Sequence, residues 1–358
     1  MTLRTFTIRN GILASCVLAA ACATTPENGG DIVSTGGAYR ATVPLNDFYD
    51  FALVETRGGA ISPRTVTVDQ AARELAQYDV IFIGEIHRHP GNHLAQMQLF
   101  EAIYRNAPNL TLSLEQFERD VQPVLDAFLA DEIGEAVLRQ QGRAWDNYPT
   151  SYRPLVEFAK ERNLPVIAAE TPLFMVRCVG EKGPEILDKF PPDQRGWAAA
   201  ELNLGDGPYK DKYMQFVSGN ATHGRDESTD TDADISPAAL RSFAAQVTRD
   251  DTMAESIHLH LQAQPDRKVV HLNGNFHSES FLGTAERLLI RNPDLNIAVI
   301  NPIAVTDPAA PSFDAADTRT GTYLLLLRPA PQDYKTMEEM RAAIMQEMAE
   351  REALNCPI

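Results

Sequence analysis

Short apolar runs alternate with amphipathic stretches along most of this chain. Val80-Ile81-Phe82-Ile83 follows a helix-like pattern over Asp69 to Tyr78, and Leu110-Thr111-Leu112-Ser113-Leu114 follows another over His93 to Asn106. Pro165-Val166-Ile167-Ala168-Ala169 comes after the helical stretch Leu155 to Arg162. Lys268-Val269-Val270-His271-Leu272 and Ile297-Ala298-Val299-Ile300 are separated by helical periodicity over Phe281 to Arg291. A last run, Tyr323 to Leu327, precedes a charged helical pattern from about Tyr334 to Ala353. Runs of this kind read as strands buried on both faces. Strands alternating with helices predict an α/β fold with a largely parallel central sheet flanked by helices. Phe48 to Val68, broken by Gly58-Gly59 and Pro63, predicts a hairpin or edge element. The stretch from about 175 to 265 has helical periodicity and no strand, so an inserted helical subdomain is expected there.

The N-terminus follows a different pattern. Met1 to Asn10 carries Arg4 and Arg9 and no acid, and Gly11 to Ala21 is an apolar run closed by a cysteine. That run is far short of the ~20 residues that span a bilayer, so it reads as the h-region of a bacterial export signal. Leu13-Ala14-Ser15 before Cys16 resembles a lipobox but leaves an h-region shorter than the usual ~7–15 residues. Ala19-Ala20-Ala21 before Cys22 leaves an adequate one. The preferred reading is a signal peptide over residues 1–21, lipid attachment at Cys22 and a tether over 22–40; cleavage near Ala21 without lipid is the alternative. Ala23 to about Gly37, rich in Thr, Pro, Asn and Gly, has the composition of a flexible spacer. An α/β domain over 45–305 and a C-terminal strand and helix over 306–358 complete the expected organisation. The place expected for such a chain is the cell envelope, on an outer membrane and facing the periplasm.

Charge narrows the partners. The formal charge is −17, and removing residues 1–21 deletes two arginines and no acid, taking it to −19. A nucleic-acid partner, which needs a basic footprint, is excluded. Anionic lipid would repel the chain, so membrane residence must come from acyl chains. Besides Cys16 and Cys22 only Cys178 and Cys356 remain, as a disulfide or as two isolated thiols. The acidic stretch Asp226 to Asp234 lacks the glycine and terminal glutamate of an EF-hand loop and reads as solvated.

Candidate chemistry lies where polar residues meet strand ends. Gly84-Glu85-Ile86-His87 follows the first strand, Glu115 ends the second, Glu170-Thr171 ends the third, and Asn273-Gly274-Asn275-Phe276-His277 follows the fourth. Ligands of open α/β sheets bind outside the carboxyl ends of the strands. Glu85, His87, Glu115 and His277 therefore converge on one rim, suited to general acid/base work or to a divalent metal. No G-x-S-x-G or H-E-x-x-H is present, and no Cys-x-x-Cys-His for covalent haem attachment.

Ile83-Gly84-Glu85-Ile86-His87 with Pro90, His93 and Gln96 resembles the opening motif of the ChaN-like haem-binding lipoproteins, grouped with erythromycin esterases and TraB/Tiki proteins. Leu114-Glu115-Gln116-Phe117, the region from Trp145 to Tyr152, Gln246 with Asp251-Thr252-Met253-Ala254, and Gly274-Asn275-Phe276-His277 extend the resemblance from about Ala71 to Pro302. Arg88-His89 stands where relatives usually have Asp-Asn, and Asn92 where a second His is common. The resemblance implies a haem-binding lipoprotein of iron acquisition, with paired haems at a homodimer interface and tyrosine on iron. Its esterase and Tiki branches imply instead a hydrolase, in some cases metal-dependent, using Glu85, His87, Glu115 and His277. Tyr209 and Tyr213, at i and i+4 with Lys210 and Lys212 alongside, are the candidate iron ligands. Tyr148 and Tyr152 rank lower because Pro149 and Pro154 surround them.

Overall fold

The computed structural model describes residues 32–218, 235–352 and 356–358. The expected signal peptide, Cys22 and the acidic loop lie outside these residues. The chain opens with β1 (Ile32–Thr35) and β2 (Ala38–Ala41), then β3 (Phe51–Glu55), β4 (Arg64–Val66), α1 (Val68–Leu75), β5 (Val80–Glu85), α2 (Pro90–Asn106) and β6 (Leu110–Glu118). Four helices follow: α3 (Gln122–Leu129), α4 (Glu135–Gln141), α5 (Tyr148–Ser151) and α6 (Arg153–Glu161). After β7 (Val166–Glu170) come α7 (Leu173–Lys182), α8 (Pro192–Arg195), α9 (Pro208–Val217) and α10 (Pro237–Ala263). The chain then runs through β8 (Lys268–Gly274), α11 (Thr284–Arg291), β9 (Ile297–Ala304), β10 (Ser312–Asp314), β11 (Tyr323–Leu327) and α12 (Met337–Glu352).

Eight strands form one sheet in the order β4-β3-β11-β9-β5-β8-β6-β7. The six from β11 to β7 are all parallel, and the β3–β4 hairpin adds an antiparallel edge. Every apolar run of the sequence is a strand, and Val80, Ile81, Phe82 and Ile83 are fully buried because both sheet faces are covered. On one face Ile81, Ile83, Leu112 and Leu114 pack with Leu75, Leu99, Phe100 and Leu155 from α1, α2 and α6. On the other, Val80, Phe82, Val269 and Val299 meet Ala254 and Ile257 of α10 and Leu288 of α11. At about 1.5–3 kcal/mol for each fully buried large aliphatic side chain, these two layers dominate the stability of the fold.

The helical insertion is present as α7 to α10, but it is integrated rather than separate, since α10 packs directly on the sheet. Its outer part has small cores of its own, one around Met175, Cys178 and Phe190 and one around Tyr209, Tyr213, Phe243 and Val247. Cys178 is bonded to Cys356, which pins the C-terminal residues to α7. The spacer composition is misleading at its far end. Residues 32–41 form a hairpin whose second strand pairs with β10, Arg40 opposite Ser312. The helix predicted from His93 begins earlier, at Pro90, because His89 accepts the Asn92 amide as an N-cap and proline suits the first turn. Among the described residues no helix is long and apolar enough to cross a membrane.

Candidate functional site

The carboxyl ends of β5, β6 and β8 frame a polar crevice. Glu85 closes β5 and is buried. Its carboxylate accepts from Tyr152 Oη at 2.7 Å and Gln96 Nε2 at 3.0 Å, and it holds His87 Nδ1 at 2.7 Å. That hydrogen bond raises the His87 pKa above its ordinary value, against the opposing effect of partial burial. The His87 ring is half exposed and lies edge-on to Trp145. With Nδ1 engaged by Glu85, Nε2 is the nitrogen left for chemistry. Arg88 then takes a positive φ of 65°, which turns the chain into α2. Asn92 braces this corner, accepting from the Ile86 amide and donating to Gly84 O. His89 caps α2 and contacts Arg328 O at 2.9 Å. The side chains of His89 and Asn92 thus hold the loop that carries His87.

A second cluster faces this one. Glu115 on β6 accepts from Arg249 at 2.8 Å and from the Gly274 amide at 2.5 Å, with His277 Nε2 3.7 Å away. Arg249 also grips Glu170 at the end of β7, at 2.7 Å through Nε. His277 Nδ1 lies 2.8 Å from Asp250, and Thr284 and Tyr209 donate to the same carboxylate. Burial opposes charge on Glu115, yet His277, Arg249, His87 and the Gly274 amide outweigh it and hold the carboxyl at about 2. Burial likewise works against an imidazolium at His277, but Asp250 and Glu115 raise its pKa above the ordinary value. Glu170 is pushed up by burial in spite of Arg249. Glycine at 274 lets the two clusters meet. A Cβ there would stand 2.8 Å from His87 Nε2 and 3.6 Å from Glu115 Oε2, so the imidazole lies directly over the backbone.

All four strand-end residues named from sequence therefore share one crevice. They do not form a metal centre: among the described residues no group of three or more His, Cys, Asp and Glu side chains is placed to hold a metal ion. The divalent-metal expectation finds no support here, because each carboxylate is already engaged by tyrosine, amide, imidazole or guanidinium donors. What the arrangement offers is proton transfer at His87 Nε2, within the electrostatic influence of the Arg249 guanidinium. Arg249, Asp250 and Tyr152 complete the site and were not singled out for it from sequence.

The tyrosines of α9 fall outside the crevice, and Tyr209 is bonded to it through Asp250. Both are on the buried side of the helix, as the i, i+4 spacing requires. Tyr209 donates to Asp250, and burial together with that carboxylate raises its pKa well above the ordinary value. Tyr213 bonds Ser242 Oγ at 2.5 Å, and burial raises its pKa too. Tyr148 is buried in the main core, and Pro149 and Pro154 open α5 and α6 rather than breaking them.

A sequence model of the family described as "Haem-binding uptake, Tiki superfamily, ChaN" matches residues 71–288. Protein RETICULATA-RELATED 5, chloroplastic, of Arabidopsis thaliana is 24% identical over 198 residues, 51% of this chain and 25% of that protein. This chain thus spans about a quarter of the length of that curated relative. The structure titled "Cofacial heme binding to ChaN of Campylobacter jejuni" superposes with a TM-score of 0.56 at 16% identity, covering 80% of this chain and all of that one. A mutant erythromycin esterase in its open conformation is more distant, with a TM-score of 0.44 at 9% identity over 80% of this chain and 99% of its own.

Proposed function

We propose, since the chain belongs to the haem-binding uptake family of the Tiki superfamily, ChaN, that it binds haem at the bacterial cell envelope and serves iron or haem acquisition. The observation that carries this reading is the family match itself, which runs from α1 to α11 and takes in the whole crevice and both tyrosines of α9. Lipid anchoring through Cys22 and a haem-bridged homodimer belong to the same proposal.

Haem needs an apolar face, cations for its propionates and, here, an oxygen ligand, and α9 and α10 carry residues of each kind. Phe216, Val217 and Leu240 are exposed there. A hollow of about 180 Å³ between Leu204, Leu240 and Phe243 is bordered by Lys210 and Arg241, and Arg241 Nε is buried without a partner. Such a guanidinium suits a propionate. Tyr213 is the better candidate for iron: it is held only by a neutral hydroxyl, whereas Tyr209 would have to leave the Asp250 carboxylate. Adding haemin to the purified protein and recording its absorption tests the reading. A high-spin tyrosinate spectrum lost in Tyr213→Phe and retained in Tyr209→Phe is expected. Absence of haem binding refutes the function, and binding that persists in the double variant but fails in His87→Ala moves the ligand to the crevice.

A second reading, acid/base hydrolysis, is favoured by one observation: two imidazoles, His87 and His277, are each held at Nδ1 by a carboxylate. Cleavage of an ester that depends on His87 and His277 and proceeds without haem would support it.

A further inference from the structure

We propose that a separate site behind the Glu85–His87 pair binds a small apolar molecule carrying one hydroxyl or N–H donor, with His93 as its polar contact. A cavity of about 330 Å³ opens beside the first two turns of α2. Pro90, Leu94 and Met97 from α2 and Pro154 at the start of α6 form an aliphatic part of its wall with His93 among them, and Tyr49, Arg88, Thr150 and Ser151 complete the lining.

The two nitrogens of His93 are unlike. Nδ1 lies 2.9 Å from Gln96 Oε1. The Gln96 amide is oriented by Glu85, to which its Nε2 donates at 3.0 Å, so its oxygen faces His93 and accepts. The imidazole proton therefore resides on Nδ1, and Nε2 presents a lone pair. That nitrogen is buried and meets no donor. Neither nearby hydroxyl supplies one: Thr150 donates to the Asn147 carbonyl at 3.1 Å, and Ser151, which accepts from the Asn147 side-chain amide at 3.2 Å, makes no bond to the nitrogen. A buried acceptor without a donor is costly in a close-packed interior. An apolar ligand that brings its own donor meets both demands at once.

The site is also wired to the crevice. His93 packs edge-on against Tyr152 at 5.2 Å, and Tyr152 and Gln96 both donate to the carboxylate that holds His87. This proposal stands independently of haem binding.

Indole and benzofuran are near-isosteric probes that differ by an N–H in place of a ring oxygen. Each is titrated into the full protein, with the His93 ring nitrogens followed by NMR. Indole is expected to bind about tenfold more tightly, the worth of one buried hydrogen bond, and to shift the Nε2 resonance in the direction of an accepted hydrogen bond. His93→Phe should equalise the two probes, and Leu94→Trp, which fills the cavity from a partly exposed position, should abolish both. Equal affinity in the unaltered protein, no binding of either probe at millimolar concentration, or indole binding that survives Leu94→Trp overturns the proposal.

Discussion

Replacing Gly274 by alanine isolates the contact that joins the two halves of the crevice. The new Cβ would lie 2.8 Å from His87 Nε2 and 2.9 Å from Cε1, whereas ordinary contact starts at 3.4 Å, so the ring must retreat by about 0.6 Å. The backbone does not resist the change, because Gly274 has φ −53° and ψ 135°, a region open to every residue. Loss of glycine from the unfolded chain contributes about 0.4–1 kcal/mol in favour of the variant. His87 can move, since its side chain is 51% exposed. Stability should therefore change by no more than about 0.5 kcal/mol. The hydrogen bond to Glu85, 2.7 Å long, is what suffers. That bond is the main reason the His87 pKa stands above 6.5, so the variant's value falls back toward it. The sign for stability follows from the raised folded pKa. The pair contributes below the unfolded pKa of His87 and loses that contribution as pH rises through the folded value; the variant shows less of this dependence. Histidine titration by NMR and thermal unfolding of both proteins read the two quantities. A folded variant whose His87 titrates as in the parent would refute the placement of the ring over Gly274, and a loss of several kcal/mol would refute its mobility.

Two further outcomes test the other parts of the structure. Glu115 is held at about 2 against an ordinary 4.5, so its contribution is present above 4.5 and disappears as pH falls through about 2. The span corresponds to roughly 3 kcal/mol, partly offset by Glu170, whose raised pKa acts in the opposite sense. Glu115→Gln should flatten the acid limb of denaturant unfolding measured from neutral pH downward, and an unchanged limb would remove Glu115 from the network. Cys356→Ser opens a bridge to Cys178 that spans 178 residues of sequence, with an expected cost of about 2–4 kcal/mol. Thermal unfolding that is insensitive both to this change and to reductant would show that the tail adds nothing to the fold.

The sheet was legible in the sequence because strands buried on both faces need unbroken apolar runs, and each run from Val80 to Leu327 became a strand. The β1–β2 hairpin was not legible. Val33 is exposed while Ala41 is buried, so no unbroken apolar run marks it, and its stabilising partner β10 lies far along the chain at Ser312–Asp314. The four strand-end residues could be found because parallel topology sends every carboxyl end to one rim. Tyr152 was obscured by prolines, which resemble breakers in sequence yet occupy helix first turns here.

Arg249 and Asp250 were hidden for a deeper reason. They sit in the middle of a 27-residue helix, where adjacent charges ordinarily mark a solvated face. Packing of α10 against α7, β7 and α11 buries Asp250 and leaves Arg249 partly exposed, so their role depends on tertiary contacts that no local period encodes. Asp250 then receives Tyr209 from α9 as well as His277 from the sheet edge. The insertion thus supplies the arginine that neutralises Glu115 and Glu170 and the carboxylate that orients His277. A stretch that sequence marks as an appendage is a working part of the site, and a ligand on α9 would reach His277 through Tyr209 and Asp250, two hydrogen bonds away.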